Sequence, residues 1–174
     1  MPLRPGRTVR KIERPYTRIS YKVPKKSYVK GVPAPKIHHF EMGNKNGDYD
    51  LALYLISKTD AQIRHNALEA ARVVANKYLD KKLGQSNYFL KILKYPFHVL
   101  REKPIATGAG ADRYSQGMRL AFGKPAGTAI QTFKGDRLVM LLINSANKKI
   151  GKEALKKFGY KIPVKVQVVE EPLK

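Results

Sequence analysis

The stretch GAGADRYSQGMRLAFGKPAGT, residues 108–128, gathers the residue types best suited to holding an anion: five glycines with Arg113, Arg119 and Lys124. Glycine lets the backbone take positive φ values and approach a surface closely. The planar arginine fork suits bidentate contact with phosphate or stacking on a base. Two nucleotide-enzyme loops share this composition, and both fail on spacing. A dinucleotide fingerprint needs G-x-G-x-x-G between a strand and a helix, but Arg113 stands where the third glycine belongs and no helical pattern follows directly. A P-loop needs a hydroxyl residue after its Gly-Lys, and Pro125 follows Gly123-Lys124. A backbone shaped for a larger polyanion remains, beside the plainer alternative of a mobile loop with incidental charges.

Other chemistry is poorly served. The four histidines, His38, His39, His65 and His98, form no zinc-ligand spacing with each other or with a carboxylate, and cysteine is absent. Packing or RNA contact suits each of them better than a metal. Asp112 beside Arg113 has the look of a catalytic acid, yet such a residue more often orders its own loop or pairs with a nearby arginine. Carboxylates are few and mostly adjoin basic residues, so no general acid/base pair is evident. No catalytic residue, metal or cofactor is expected.

The charge balance points outward to a partner. Among 174 residues, 35 Lys and Arg face 13 Asp and Glu, a formal net charge of +22. Such a field repels itself in a compact state and is best tolerated against a polyanion. Nucleic acid is the favoured partner, with an anionic membrane surface or an acidic protein as alternatives. Apolar residues make up 43% of the chain, enough for a real core. The longest apolar run, LVMLLI (138–143), has strand length, and no apolar segment follows the basic N-terminus as a signal peptide would require. A soluble intracellular protein with no membrane partner is expected.

These residues need elements to position them. Residues 1–36 hold Arg4, Arg7, Arg10, Lys11, Arg14, Arg18, Lys22, Lys25, Lys26, Lys30 and Lys36 against one acid, Glu13, with six prolines. That composition predicts an extended basic arm, in which Tyr16, Tyr21 and Tyr28 are able to stack on bases. From residue 37 a single globular α+β domain is expected to run to 174. Thr59 or Asp60 is placed to cap a helix to about Leu83, with Gly84 beyond it and Ile63, Ala67, Ala71, Val74 and Tyr78 as its apolar face. YFLKILKY (88–95) and FHVLRE (97–102) look like strands. TAIQTF (128–133) and LVMLLI flank Lys134-Gly135-Asp136-Arg137 as a hairpin would. Asn147 opens a second helix through Phe158, ended by Gly159, and residues 163–171 alternate as a last strand. Met118, Leu120 and Phe122 alternate with Arg119 and Ala121, the pattern of a strand with one apolar face. The sum is a two-layer α+β domain with a largely antiparallel or mixed sheet and two main helices.

The run 109–129 also closely resembles the signature of a universal large-ribosomal-subunit protein family, called L-sixteen in bacteria and L-ten-e in archaea and eukaryotes. Its pattern is met by Ala111-Asp112-Arg113, Gly117-Met118-Arg119, Ala121-Phe122-Gly123-Lys124-Pro125 and Gly127-Thr128. GVPAPKIHHFEMG (31–43), NALEAARVVANKY (66–78) and PFHVLRE (96–102) continue the likeness to the archaeal and eukaryotic branch. Asn66 departs from the eukaryotic Glu, and the sequence ends soon after Glu171 without the longer eukaryotic tail, which suggests an archaeal source.

The resemblance implies a two-layer α+β fold and a non-enzymatic structural role in the large subunit of the cytoplasmic ribosome. Its implied partners are large-subunit ribosomal RNA, tRNA, neighbouring ribosomal proteins and 5S ribosomal RNA, with the chain a monomer in that assembly. A loop at about 102–117, containing Gly108, Ala109, Gly110, Ala111, Asp112, Arg113, Gln116 and Gly117, is expected to approach tRNA near the peptidyl transferase region. The arm from Arg4 to Lys30, together with Arg101, Met118, Arg119, Phe122, Gly123 and Lys124, is expected to hold ribosomal RNA. A free nucleic-acid-binding protein and a phosphoryl-transfer or hydrolytic enzyme are the competing classes.

Overall fold

Leu51–Ser57 forms β2, the strand around which the larger sheet is laid. A computed structural model describes residues 12, 22–27 and 29–173 of the chain. In it β2 pairs antiparallel on one side with β7 (Arg137–Ile143) and on the other with β8 (Val166–Pro172). Beyond β7 lie β4 (Tyr88–Ile92) and then β1 (Glu41–Gly43), giving a five-stranded order β1-β4-β7-β2-β8. A second, three-stranded sheet is built from β3 (Ala61–Arg64), β6 (Lys124–Thr132) and β5 (His98–Glu102), with β6 in the middle. Every pairing is antiparallel. The fold is α+β, as expected.

Two long helices close the core. α1 (His65–Leu83) and α3 (Lys148–Gly159) flank a short helical turn in chain order, α2 (Ala111–Tyr114). α1 buries Leu68, Ala71, Ala75 and Leu79, and α3 buries Ala154, Leu155 and Phe158. Leu53, Leu55, Leu90, Leu141 and Ile143 from the large sheet join them, as do Ile63 and Ile130 from the small one. Gly151 brings α3 close: a Cβ there would lie 2.4 Å from Ile143 Cδ1 and 2.8 Å from Leu53 Cδ1. Tyr88 crosses under α1, its hydroxyl reaching Asp80 and lying 2.8 Å from Asn76 Oδ1, with burial the main reason its pKa is raised.

Several expectations need correction. Residues 61–64 form β3 and not the first turn of the helix, because pairing with β6 buries Ala61, Gln62 and Ile63. Asp60 therefore caps nothing helical; its carboxylate accepts the Lys134 amide at 2.6 Å. The buried stripe of α1 is displaced from the expected one, with Ala67 and Tyr78 at its margin. The turn after β6 exists, with Asp136 N–H donating to Phe133 O at 3.1 Å, but its flanking strands do not pair. Ser57 at the end of β2 exchanges hydrogen bonds with Gly135 and Asp136, so the turn passes the chain from one sheet to the other. Gly84 does end α1 at φ 77°, its N–H donating to Asp80 O at 3.1 Å.

Candidate nucleic-acid interface

β5 and β6 are neighbours in register, with Glu102 opposite Lys124 and a bulge at Leu100/Arg101. Residues 103–123 consequently form one long excursion whose two ends are clamped side by side. At its base, Gly123 has φ 76°, and a Cβ would sit 3.0 Å from Glu102 C and 3.1 Å from Glu102 O. That contact is with backbone, which cannot turn aside, so glycine is required there. The Arg101 guanidinium lies 3.8 Å above the Phe122 ring and ties the last residues of the loop to β5.

Further out the chain is shaped by its own turns. Gly108 and Gly110 take φ values of 112° and 79° and lead into α2. Ala111 N–H donates to Gly108 O, Arg113 N–H to Gly110 O and Ser115 N–H to Ala111 O, at 3.2, 3.1 and 2.9 Å. Gly117 and Leu120 both have φ 56°, and Arg119 N–H donates to Gln116 O at 3.2 Å. The strand expected over Met118–Phe122 is therefore absent: a left-handed Leu120 breaks the alternation, and turns take its place. A helical turn, α2, follows Gly110, where the sequence shows no helical pattern.

All the loop candidates come together in this one projection. Gly108, Ala109, Gly110, Asp112, Arg113, Gln116, Met118, Arg119, Phe122 and Lys124 are exposed, while Ala111, Gly117 and Gly123 are half-buried. Its apolar side chains face solvent: Tyr114 is 86% exposed, Leu120 83% and Met118 65%. Side chains with nothing of their own to pack against, interleaved with arginines, suit burial on a partner. A hollow of about 540 Å³ opens between the limbs, bounded by Lys103, Tyr114, Arg119, Leu120, Phe122 and Lys124. Of these, Lys103, Tyr114 and Leu120 were not among the candidate residues. Tyr114 falls between the Ala111-Asp112-Arg113 and Gly117-Met118-Arg119 segments of the signature, and nothing in sequence signals that Leu120 adopts positive φ.

The arm divides differently. Arg4, Arg7, Arg10, Lys11, Arg14, Arg18 and the three arm tyrosines lie outside the described residues. Lys22, Lys25, Lys26 and Lys30 are exposed, Pro24–Lys26 makes a 3-10 turn and Val29 is 5% exposed. Of the histidines, His98 is buried in β5, and His65 Nδ1 accepts the Lys36 amide at 2.8 Å. Among the described residues no cluster of three or more His, Asp or Glu is arranged to hold a metal ion, and no helix is long and apolar enough to cross a membrane.

With this geometry in view, comparison decides the family. The family model described as "Ribosomal protein L16p/L10e" matches residues 17–169. The chain belongs to the ribosomal protein L16p/L10e family. Its relatives include proteins named "Large ribosomal subunit protein uL16". That of Staphylothermus marinus is 49% identical, over 100% of this chain and 97% of its own length. Those of Sulfolobus acidocaldarius and Archaeoglobus fulgidus are 50% and 46% identical, covering 97% and 98% of this chain and 93% and 94% of their own. All three organisms are archaea, as the resemblance implied. Within the L16p/L10e family signature, then, Gly123 seats the loop base and Phe122 meets Arg101, while Arg113 and Arg119 stand exposed.

Proposed function

We propose that this chain is a structural constituent of the large subunit of the cytoplasmic ribosome, binding large-subunit ribosomal RNA beside other ribosomal components. The family is one of ribosomal structural proteins, not enzymes, so the chain holds RNA in place and performs no chemical step. The finer reading is that the loop at about 102–117 approaches tRNA near the peptidyl transferase region, with residues 108–113, Gln116 and Gly117 as its tRNA-proximal part. Arg101, Met118, Arg119, Phe122, Gly123 and Lys124, with the basic residues from Arg4 to Lys30, are assigned to ribosomal RNA. 5S ribosomal RNA is proposed as a further neighbour, and the chain as a monomer within the assembly.

The observation that supports this best is the clamped loop, which projects exposed arginines and exposed apolar side chains together. Phosphates would neutralise the cations with release of counterions, and A-form RNA would be recognised by shape and backbone. Arg113→Ala and Arg119→Ala leave the fold intact, because both side chains are exposed. Each should weaken subunit assembly or tRNA binding by about tenfold, the loss of one charged hydrogen-bonding group. Reconstituted subunits carrying either change are assayed by sedimentation and by tRNA binding. Normal assembly together with normal tRNA affinity in both variants would contradict the proposal.

A further inference from the structure

The large sheet carries a second basic groove that shares no residue with the loop. It runs between α3 and the edge strand β8, with a volume of about 640 Å³ and a floor of Leu55, Val164, Val166 and Val168. That volume falls within the roughly 300–1,000 Å³ typical of ligand sites. Lys58, Lys152, Lys156 and Lys165 line it. Glu170 neutralises one end, pairing with Lys152 and, at 2.5 Å, with Lys148. At the other end Lys58, Lys156 and Lys165 are exposed, and no carboxylate among the described residues pairs with them. Lys58 N–H donates to Lys165 O at 2.8 Å, which fixes these two residues side by side.

Tyr160 stands at that unneutralised end. It follows Gly159 at the close of α3 and is 72% exposed. The backbone beneath is fixed by Tyr160 N–H donating to Lys156 O at 3.1 Å and Lys161 N–H to Phe158 O at 3.1 Å. The same tyrosine borders a second hollow of about 310 Å³, whose rim carries Arg64 and Lys161. Cations thus lie on both sides of one exposed ring. A phosphate chain crossing the ring would meet lysines before and after it, and an unpaired base would find an aromatic face beside an apolar floor. An acidic peptide would satisfy the lysines but has no use for the ring.

We infer that the α3–β8 groove is a second RNA site, in which Tyr160 stacks an unpaired base while Lys58, Lys156 and Lys165 hold the flanking phosphates. The inference rests on the proposed ribosomal function for the class of ligand and adds a place and a mode of binding. The test uses the full chain and a single-stranded oligouridylate of about twelve nucleotides carrying 4-thiouridine, at about 0.3 M salt, where contacts with phosphate alone weaken. Photocrosslinking with peptide mapping should give an adduct at Tyr160. Tyr160→Leu should lower affinity about tenfold and Tyr160→Phe should not, since stacking needs only the ring. Lys156→Glu with Lys165→Glu should flatten the log–log salt dependence by about one to two. Circular dichroism melts check that these surface changes leave the fold intact.

Adducts confined to other residues, with Tyr160→Leu binding as tightly as the unchanged protein, would overturn the site while leaving the ribosomal reading standing. Binding of a polyglutamate peptide that depends on the lysines but not on Tyr160, with no Tyr160 adduct to RNA, would make the groove a protein contact and also overturn it. No RNA binding by the unchanged protein would remove both readings together.

Discussion

His65 opens α1, and its ring is set between the chain entering from Lys36 and the backbone of β6. Nδ1 accepts the Lys36 amide, and a Cβ at Gly127 would lie 3.2 Å from Nε2. Gly127, a residue of the glycine-rich signature, is therefore buried and serves to seat a histidine. Burial first, and then Lys36 and Arg64, lower the His65 pKa from its ordinary 6.5, and the positive end of the helix dipole acts the same way. The folded state resists the proton, so the unfolded chain takes it up first as pH falls. The stabilisation is fully present above 6.5 and is lost as pH drops through the lower folded value. Protection of the Lys36 amide from hydrogen exchange, taken relative to the intrinsic rate at each pH, should fall on moving from pH 7.5 to the acid side of that value, and His65→Ala should lack it at both. Unchanged protection of that amide across the range would contradict the assignment.

At the scale of elements, the closeness of α3 to β2 and β7 depends on one position. Gly151→Val puts a branched side chain where Ile143 and Leu53 already lie within contact distance, and both are fully buried. Overpacking of this kind costs about 1–3 kcal/mol. Thermal unfolding should register that loss, whereas a melting temperature equal to that of the unchanged protein would mean that α3 can lift from the sheet. The same element shows what sequence conveys and what it withholds. The span of α3 was legible because Leu155, Phe158 and Gly159 mark one face and an end. β2 was not, since LALYLIS lacks polar alternation, as a strand at the heart of a sheet does. β3 was absorbed into the helix for a related reason: four residues carry too little periodicity to separate the two, and pairing with β6 decided it. The turn at 133–136 was visible, but its partners were chosen by which sheet buries each strand. The loop's composition led to the expectation of a polyanion partner, while its clamped base depends on contacts between residues far apart in sequence, and its left-handed Leu120 and its helical turn are local features too short to leave a periodic pattern.

For the whole molecule the governing quantity is the net charge of +22. Ion pairs use several of the acids, as in Lys91 with Glu41 at 2.6 Å and Arg137 with Glu171 at 2.5 Å, yet 35 basic residues exceed 13 acidic ones too far for pairing to balance them. Salt must then act in opposite directions on the free and the bound protein. In the free protein it screens self-repulsion between like charges and favours the compact state. In the complex it restores the counterion atmosphere that RNA gave up, and so weakens binding. If about eight phosphates are contacted, log affinity should fall with log salt at a slope of roughly −6 to −7. Raising potassium chloride from about 0.05 to about 0.5 M should therefore raise the melting temperature of the isolated chain while lowering its affinity for large-subunit RNA by several orders of magnitude. A melting temperature that falls over the same range would mean that ion pairs, and not repulsion, dominate the electrostatics of the free fold. A slope near zero would mean that the basic residues face something other than phosphate.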